Sequence, residues 1–180
     1  MAHLALALLG PARIARGDEP VTTLGAGKAL ALLAYLAVTP DRPRPRESLA
    51  ALLWPEQPEE NARHSLRQAL TTLRKAIGDP AAPPHLLVTR DAVTFNGASD
   101  YQLDSAEFGR LLEVCREHPH RHPDACAACA ERLERATRLV RGEFLAGVVL
   151  DESEELEEWL RAWRDRLQRQ TLAALTLLVA

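Results

Sequence analysis

The chain has 180 residues, 47% apolar and 26% charged, a globular mixture that excludes a disordered or low-complexity protein. Its formal charge of -3 hides an asymmetry: residues 1–97 carry eleven Lys and Arg against nine Asp and Glu, residues 98–180 eleven against sixteen. No apolar run is long enough for a membrane span or a signal peptide, and three cysteines make no disulfide framework, so a reducing cytosol is expected.

Leu4–Leu9 is an apolar run closed by Gly10-Pro11 and reads as a strand. Ala12–Arg16 and Val21–Thr23 follow as short strands around a Gly17-Asp18 turn. Ala29–Val38 is apolar on nearly every face, as a buried helix must be, and ends at Pro40. Glu47–Leu53 forms a short helix stopped by Trp54-Pro55, and Glu56–Glu60 an acidic loop.

Asn61–Ile77 is the most informative segment. Leu66, Ala69, Leu70, Leu73 and Ile77 form one apolar stripe at helical spacing. His64, Gln68, Thr71 and Lys75 fall on the opposite face, Arg67 and Arg74 on one flank and Thr72 on the other. No acid lies between Asn61 and Gly78, which is placed to cap the helix. Leu86–Thr89 and Val93–Phe95 then make a hairpin with Arg90 at its tip.

After residue 98 the pattern is helical. Asp104 and Glu107 are spaced as a capping box opening a helix through about Glu117. A second helix spans about Ala125–Val140. A third runs from Glu154 to the end, with Leu156, Trp159, Leu160, Trp163 and Leu167 on one face. Its apolar, uncapped last turn implies that the natural protein continues past residue 180.

An amphipathic helix with a basic outer face is commonly a solvated surface helix. A three-helix unit followed at once by a hairpin is also the layout that seats one helix in the major groove, whose width of about 12 Å admits it. In that reading Arg67, Arg74 and Lys75 hold phosphates, Gln68 and Thr71 face base edges with His64 and Thr72 beside them, and Arg90 is a lesser contact. Gly25-Ala-Gly-Lys28 lacks the spacing of a phosphate-binding loop, but Lys28 is a candidate phosphate contact. Cys115, His118, His120, His122, Cys126 and Cys129 have two readings open: zinc ligands brought together by a helical hairpin, or small packing residues beside a solvated loop. No paired catalytic acid and base is recognisable, so an enzyme is not expected.

The runs "LLG" at 8–10, "GAGKALALLAYLAVTP" at 25–40, "ESLAALLWPEQPEENARHSLRQALTTLRKAIGD" at 47–79, "DYQLDSAEFGRLL" at 100–112, "RLVRGEFLAGVVL" at 138–150 and "LEEWLRAWRDRLQRQTLAAL" at 156–175 resemble the SARP-type antibiotic regulatory activators. The resemblance implies an α+β, OmpR-type winged helix-turn-helix over residues 1–98 and the first part of an all-α, TPR-like bacterial transcriptional activation domain over residues 99–180. It implies double-stranded promoter DNA, bound as direct repeats with a second copy alongside, as the ligand of a nucleoid-associated cytoplasmic protein. It further implies contact with the sigma factor of RNA polymerase, for which Glu56, Glu59 and Glu60 are the candidates, and no cofactor. Pro45 departs from the Ser or Thr that commonly caps the helix near Arg46. Ala69 and Thr72 stand where His and Arg are frequent, so sequence preference does not transfer. Two other functions compete: a helical interaction module that reads no DNA, and a zinc or redox sensor built on the Cys/His group.

Overall fold

The computed structural model describes residues 3–79, 83–119, 126–150 and 152–179. β1 (Leu4–Ala7) and β3 (Arg13–Arg16) pair antiparallel, and β4 (Glu19–Pro20) extends that edge. The strand anticipated at Val21–Thr23 therefore lies just earlier; Val21 still donates its amide to the Ile14 carbonyl at 2.8 Å. On the other side of β1 runs β8 (Tyr101–Leu103), parallel to it, so the sheet order is β4-β3-β1-β8.

The expected single strand over Leu4–Leu9 is broken. Leu8 and Leu9 turn their amides to the Asp104 carboxylate, each at 2.8 Å, and a second short strand, β2 (Gly10–Pro11), begins beyond them. It pairs parallel with β9 (Phe144–Ala146). Gly10 has φ +138, and a Cβ there would stand 3.0 Å from that of Arg141, so glycine alone fits this crossing.

Three helices follow, α1 (Lys28–Ala37), α2 (Arg46–Leu53) and α3 (Glu59–Ile77), with α1 and α2 both packed on α3. α1 buries Leu30, Ala31, Leu32, Leu33, Ala34, Leu36 and Ala37, the burial its near-continuous apolar sequence demands. A second sheet, in the order β5-β7-β6, joins β5 (Arg44–Pro45) to the hairpin of β6 (Leu86–Val88) and β7 (Ala92–Phe95). Its tip is the wing of a winged helix.

α4 (Asp104–Glu117) and α5 (Ala127–Leu139) pack against each other, and α6 (Glu154–Val179) packs on α5. The capping box anticipated at Asp104 does not form. Leu103 is the N-cap, Asp104 is the first helical residue with its carboxylate turned to Leu8 and Leu9, and Glu107 instead binds Arg110 at 2.7 Å.

One core runs from Leu4 through Leu73 and Phe95 to Phe144 and Leu167. Phe95, Phe108 and Phe144 are wholly enclosed in it, each contributing about 1.5–3 kcal/mol by burial. Tyr35 of α1 meets Trp159 of α6 edge-to-face at 5.1 Å, and Trp163 stacks on Phe144 at 5.6 Å. Arg141 donates to the carbonyls of Ala7 at 2.9 Å and Pro11 at 3.0 Å, gripping the start of the chain from the end of α5. Ser153 donates its hydroxyl to the Leu52 carbonyl at the end of α2 at 2.5 Å and accepts the Leu156 amide, so one side chain both opens α6 and fastens it to α2.

Candidate nucleic-acid interface

α3 starts at Glu59, two residues earlier than its apolar stripe implies, with Pro58 as N-cap. Glu59 and Glu60 thus belong to its first turn, where acids suit the positive end of the helix dipole, and only Glu56 remains in the connecting turn. The helix ends at Gly78, whose φ of +80 supplies the left-handed cap, and a Cβ there would press on the Arg16 side chain.

Ala62, Leu66, Leu70, Leu73 and Ile77 are buried against the core, and Ala69 is half-buried. His64, Arg67, Gln68, Thr71, Thr72 and Lys75 are all exposed, and they form the outer face of the helix. Arg74 differs. It is half-buried, and its Nε is enclosed without a hydrogen-bond partner.

Two contacts restrict what this face offers. Gln68 Nε2 lies 2.8 Å from His64 Nε2, so with the imidazole proton on Nδ1 the amide donates to the ring. A bidentate contact from Gln68 to adenine therefore requires it to release His64. Thr71 donates its hydroxyl to the Arg67 carbonyl at 2.9 Å, which leaves its lone pairs and methyl group facing outward.

Between α3 and the wing lies an open groove of about 550 Å³ lined by Pro45, Arg46, Glu47, Arg63, Leu66, Arg67, Arg90 and Asp91. Arg63 is neutralised locally by Glu47 and by Glu59 at 2.5 Å. Among the described residues Arg46, Arg67 and Arg90 make no ion pair, so three uncompensated guanidinium groups share this groove. Arg46 was not legible as a site residue; its only sequence signal is the Arg42-Pro-Arg-Pro-Arg46 alternation. Its guanidinium donates to the Thr89 carbonyl at 3.2 Å and its amide to the Asp91 carbonyl at 2.9 Å. The wing tip thereby supplies the acceptor for an amide at the start of α2, where Pro45 gives no side-chain cap.

Lys28 is placed differently. It pairs with Glu152, and its ammonium lies 5.3 Å from the centre of the Trp54 ring, so its charge is used inside the fold. Glu56 and Glu60 are exposed, whereas Glu59 is engaged with Arg63. The groove on the other flank of α3, about 490 Å³, is lined by Arg16, Glu19, Thr22, Thr23, Thr71, Thr72 and Lys75 among others.

Residues 22–93, from the segment before α1 to the second wing strand, match the family described as "Transcriptional regulatory protein, C terminal". The chain is 28% identical over 161 residues to the transcriptional regulatory protein EmbR of Mycobacterium tuberculosis, across 86% of this chain and 38% of EmbR. It is 31% identical over 164 residues to the regulatory protein AfsR of Streptomyces coelicolor, across 91% of this chain and 16% of AfsR. The chain thus carries that regulatory domain and is similar over most of its length to SARP-type transcriptional regulators. A solved structure of Mycobacterium tuberculosis EmbR in complex with a low-affinity phosphopeptide shares the fold, with a TM-score of 0.70 at 24% identity over 98% of this chain and 44% of that one. The chain spans less than half the length of the relatives it matches. No helix among its described residues is long and apolar enough to cross a membrane.

Proposed function

We propose that this regulator activates transcription by binding duplex promoter DNA through α3 and the wing. The observation that carries the reading is the outer face of α3, free of acids from Asn61 to Ile77 and bordered by the uncompensated Arg46, Arg67 and Arg90. Those cations, with Lys75 and Arg74, suit phosphates, which supply affinity and set the register. Gln68 and Thr71 lie at the centre of the face and suit base edges, with His64 and Thr72 beside them. Lys28, occupied by Glu152 and Trp54, is left out of this contact set.

The resemblance to SARP-type activators supports a second copy on an adjacent direct repeat and a cytoplasmic, DNA-associated setting. It also supports a TPR-like role for α4–α6 and engagement of the RNA polymerase sigma factor by Glu56 and Glu60, with Glu59 beside them. Fluorescence anisotropy with duplexes from the regulator's own gene neighbourhood tests the core of this reading. Specific binding that weakens steeply with salt is the expected result. Equal, weak binding to every duplex would leave a helical interaction module as the better description.

A further inference from the structure

The facing ends of α4 and α5 bring sulfur and nitrogen donors together away from α3. His118 follows the last residue of α4, Cys126 is the N-cap of α5 and Cys129 lies in its first turn. His118 Nδ1 stands 3.6 Å from Cys126 Sγ and 3.6 Å from Cys129 Sγ, and one donor atom from each of the three residues lies within 4.8 Å of the others. Cys115, one turn before the end of α4, places its sulfur 3.6 Å from the Cys129 carbonyl on the buried side of the group. His120 and His122 lie outside the described residues.

We propose that Cys115, His118, Cys126 and Cys129 hold a structural zinc ion that fastens the α4–α5 hairpin. The two S···N separations at His118 fit that ion, and Cys115 turns its sulfur from the Cys129 carbonyl to complete the set. With Zn–S about 2.3 Å and Zn–N about 2.0–2.1 Å, a tetrahedral site has S···N edges of roughly 3.5–3.6 Å. Both observed S···N separations are 3.6 Å. Three thiolates and one imidazole make a closed donor set of the kind that leaves no position for substrate. On binding, each thiol releases its proton to solvent, sulfur and nitrogen lone pairs fill the zinc coordination sphere, and no electron changes hands.

The surroundings give the ion work to do. The buried residues here, Cys115, Cys129, Leu133 and Ala174, form a cluster of their own, apart from the main core. So small an apolar group stabilises a helical hairpin weakly, and a metal cross-link is a common remedy where the core is small.

The test uses the whole chain, purified under reducing conditions, with metal content measured and Co²⁺ and Zn²⁺ as probes. One zinc per chain is expected, along with the visible bands of tetrahedral Co²⁺ and a thiolate-to-cobalt charge-transfer band after exchange. Cys115→Ser should lower that charge-transfer band by about one third, as one of three thiolates is lost. His118→Ala should reduce metal retention while the sulfur band persists at high Co²⁺. Chelation should lower the melting temperature and make all three thiols reactive. Wild-type chain that takes up neither ion when both are offered in excess would overturn the site, since packing cysteines alone give no cobalt spectrum. A Cys115→Ser band equal to that of the wild type would overturn the three-thiolate set.

Discussion

The Arg46 amide donates to the Asp91 carbonyl at 2.9 Å, a bond that joins the start of α2 to the tip of the wing. It sets Arg46 and Arg90 on the rim of one groove with Arg67 across from them. Arg90→Ala removes a cation without touching this joint. It should weaken binding to all duplexes alike and reduce the salt slope by about one. Arg46→Ala loses the bond to Thr89 as well and should cost more. Titrations at several salt concentrations measure both, and an Arg90→Ala protein with the wild-type slope would count against the wing as a DNA contact.

Residues of α3 should divide by kind of effect. Arg67→Ala and Lys75→Ala should each flatten the salt slope by about one without altering which sequence is preferred. Gln68→Ala should relax preference at one base position by about 1–3 kcal/mol if the lost contact is bidentate. His64→Ala frees the Gln68 amide and is expected to leave that preference intact. Thr71→Val keeps the outward methyl and should change preference less than Thr71→Ala. Competition against a library of single-base variants of the bound site separates these outcomes; a Gln68→Ala protein with an unaltered profile removes that residue from the reading set.

Asp104 is expected to be a stability residue. Burial pushes its carboxyl above the usual carboxylate range, against the pull of the amides it accepts and of Arg141. Replacement by Asn removes that penalty but leaves one oxygen for two buried amides, those of Leu8 and Leu9. The unmet donor should dominate, with a loss of about 1–3 kcal/mol in urea unfolding. Equal stability of Asp104→Asn and wild type would show that neither amide depends on the second oxygen.

His85 gives the fold a pH dependence. Its ring is buried behind β6 with Nδ1 3.0 Å from the Ser99 hydroxyl. Burial pushes the imidazole below its ordinary 6.5, with Asp79 and Asp100 opposing in part. The unfolded chain therefore binds a proton that the folded chain resists. Stability is full above about pH 6.5 and declines as pH falls through that value toward the lower folded one. Melting temperatures from pH 7.5 to 5.5 should drop, and His85→Gln should drop less; parallel curves would assign the dependence to other groups.

Replacing Glu56, Glu59 and Glu60 together with Gln tests the polymerase contact. Reconstituted transcription should fall while promoter affinity stays nearly intact, because rim charges act mainly on partner encounter. Glu59→Gln alone also releases Arg63, which makes the Glu56→Gln, Glu60→Gln pair the cleaner comparison. Normal activation by the triple variant would sink the idea.

Elements with sustained periodicity were readable from the sequence: α1, α3 and α6 lie within two residues of their expected starts. β5, β8 and β9 are two or three residues long and carry no periodic signal, so nothing in the sequence announces that Tyr101–Leu103 joins Leu4–Leu6. The Asp104 clamp escaped for the related reason that its partners are more than ninety residues away, while a nearer, local use of the same carboxylate was available. On α3 the exposed face was legible from helical spacing alone, but Arg46 was not, because it enters the groove through a contact with the wing. The proximity of His118 to Cys126 and Cys129 was foreseeable from a helical hairpin, though not the separation.

The bond from Ser153 to Leu52 and the meeting of Tyr35 with Trp159 have a geometric consequence for a copy seated on DNA. A winged helix on a slack tether would let its appendage swing toward a partner from any angle. Here the hairpin and α6 are bolted to the same block as α3, so the rotational phase of a site fixes the direction in which they project. DNA repeats every 10–10.5 base pairs per turn, so moving a site by about five base pairs turns that projection to the opposite side of the duplex. In the proposed DNA-bound state, promoter spacing thereby sets the direction in which α4–α6 project.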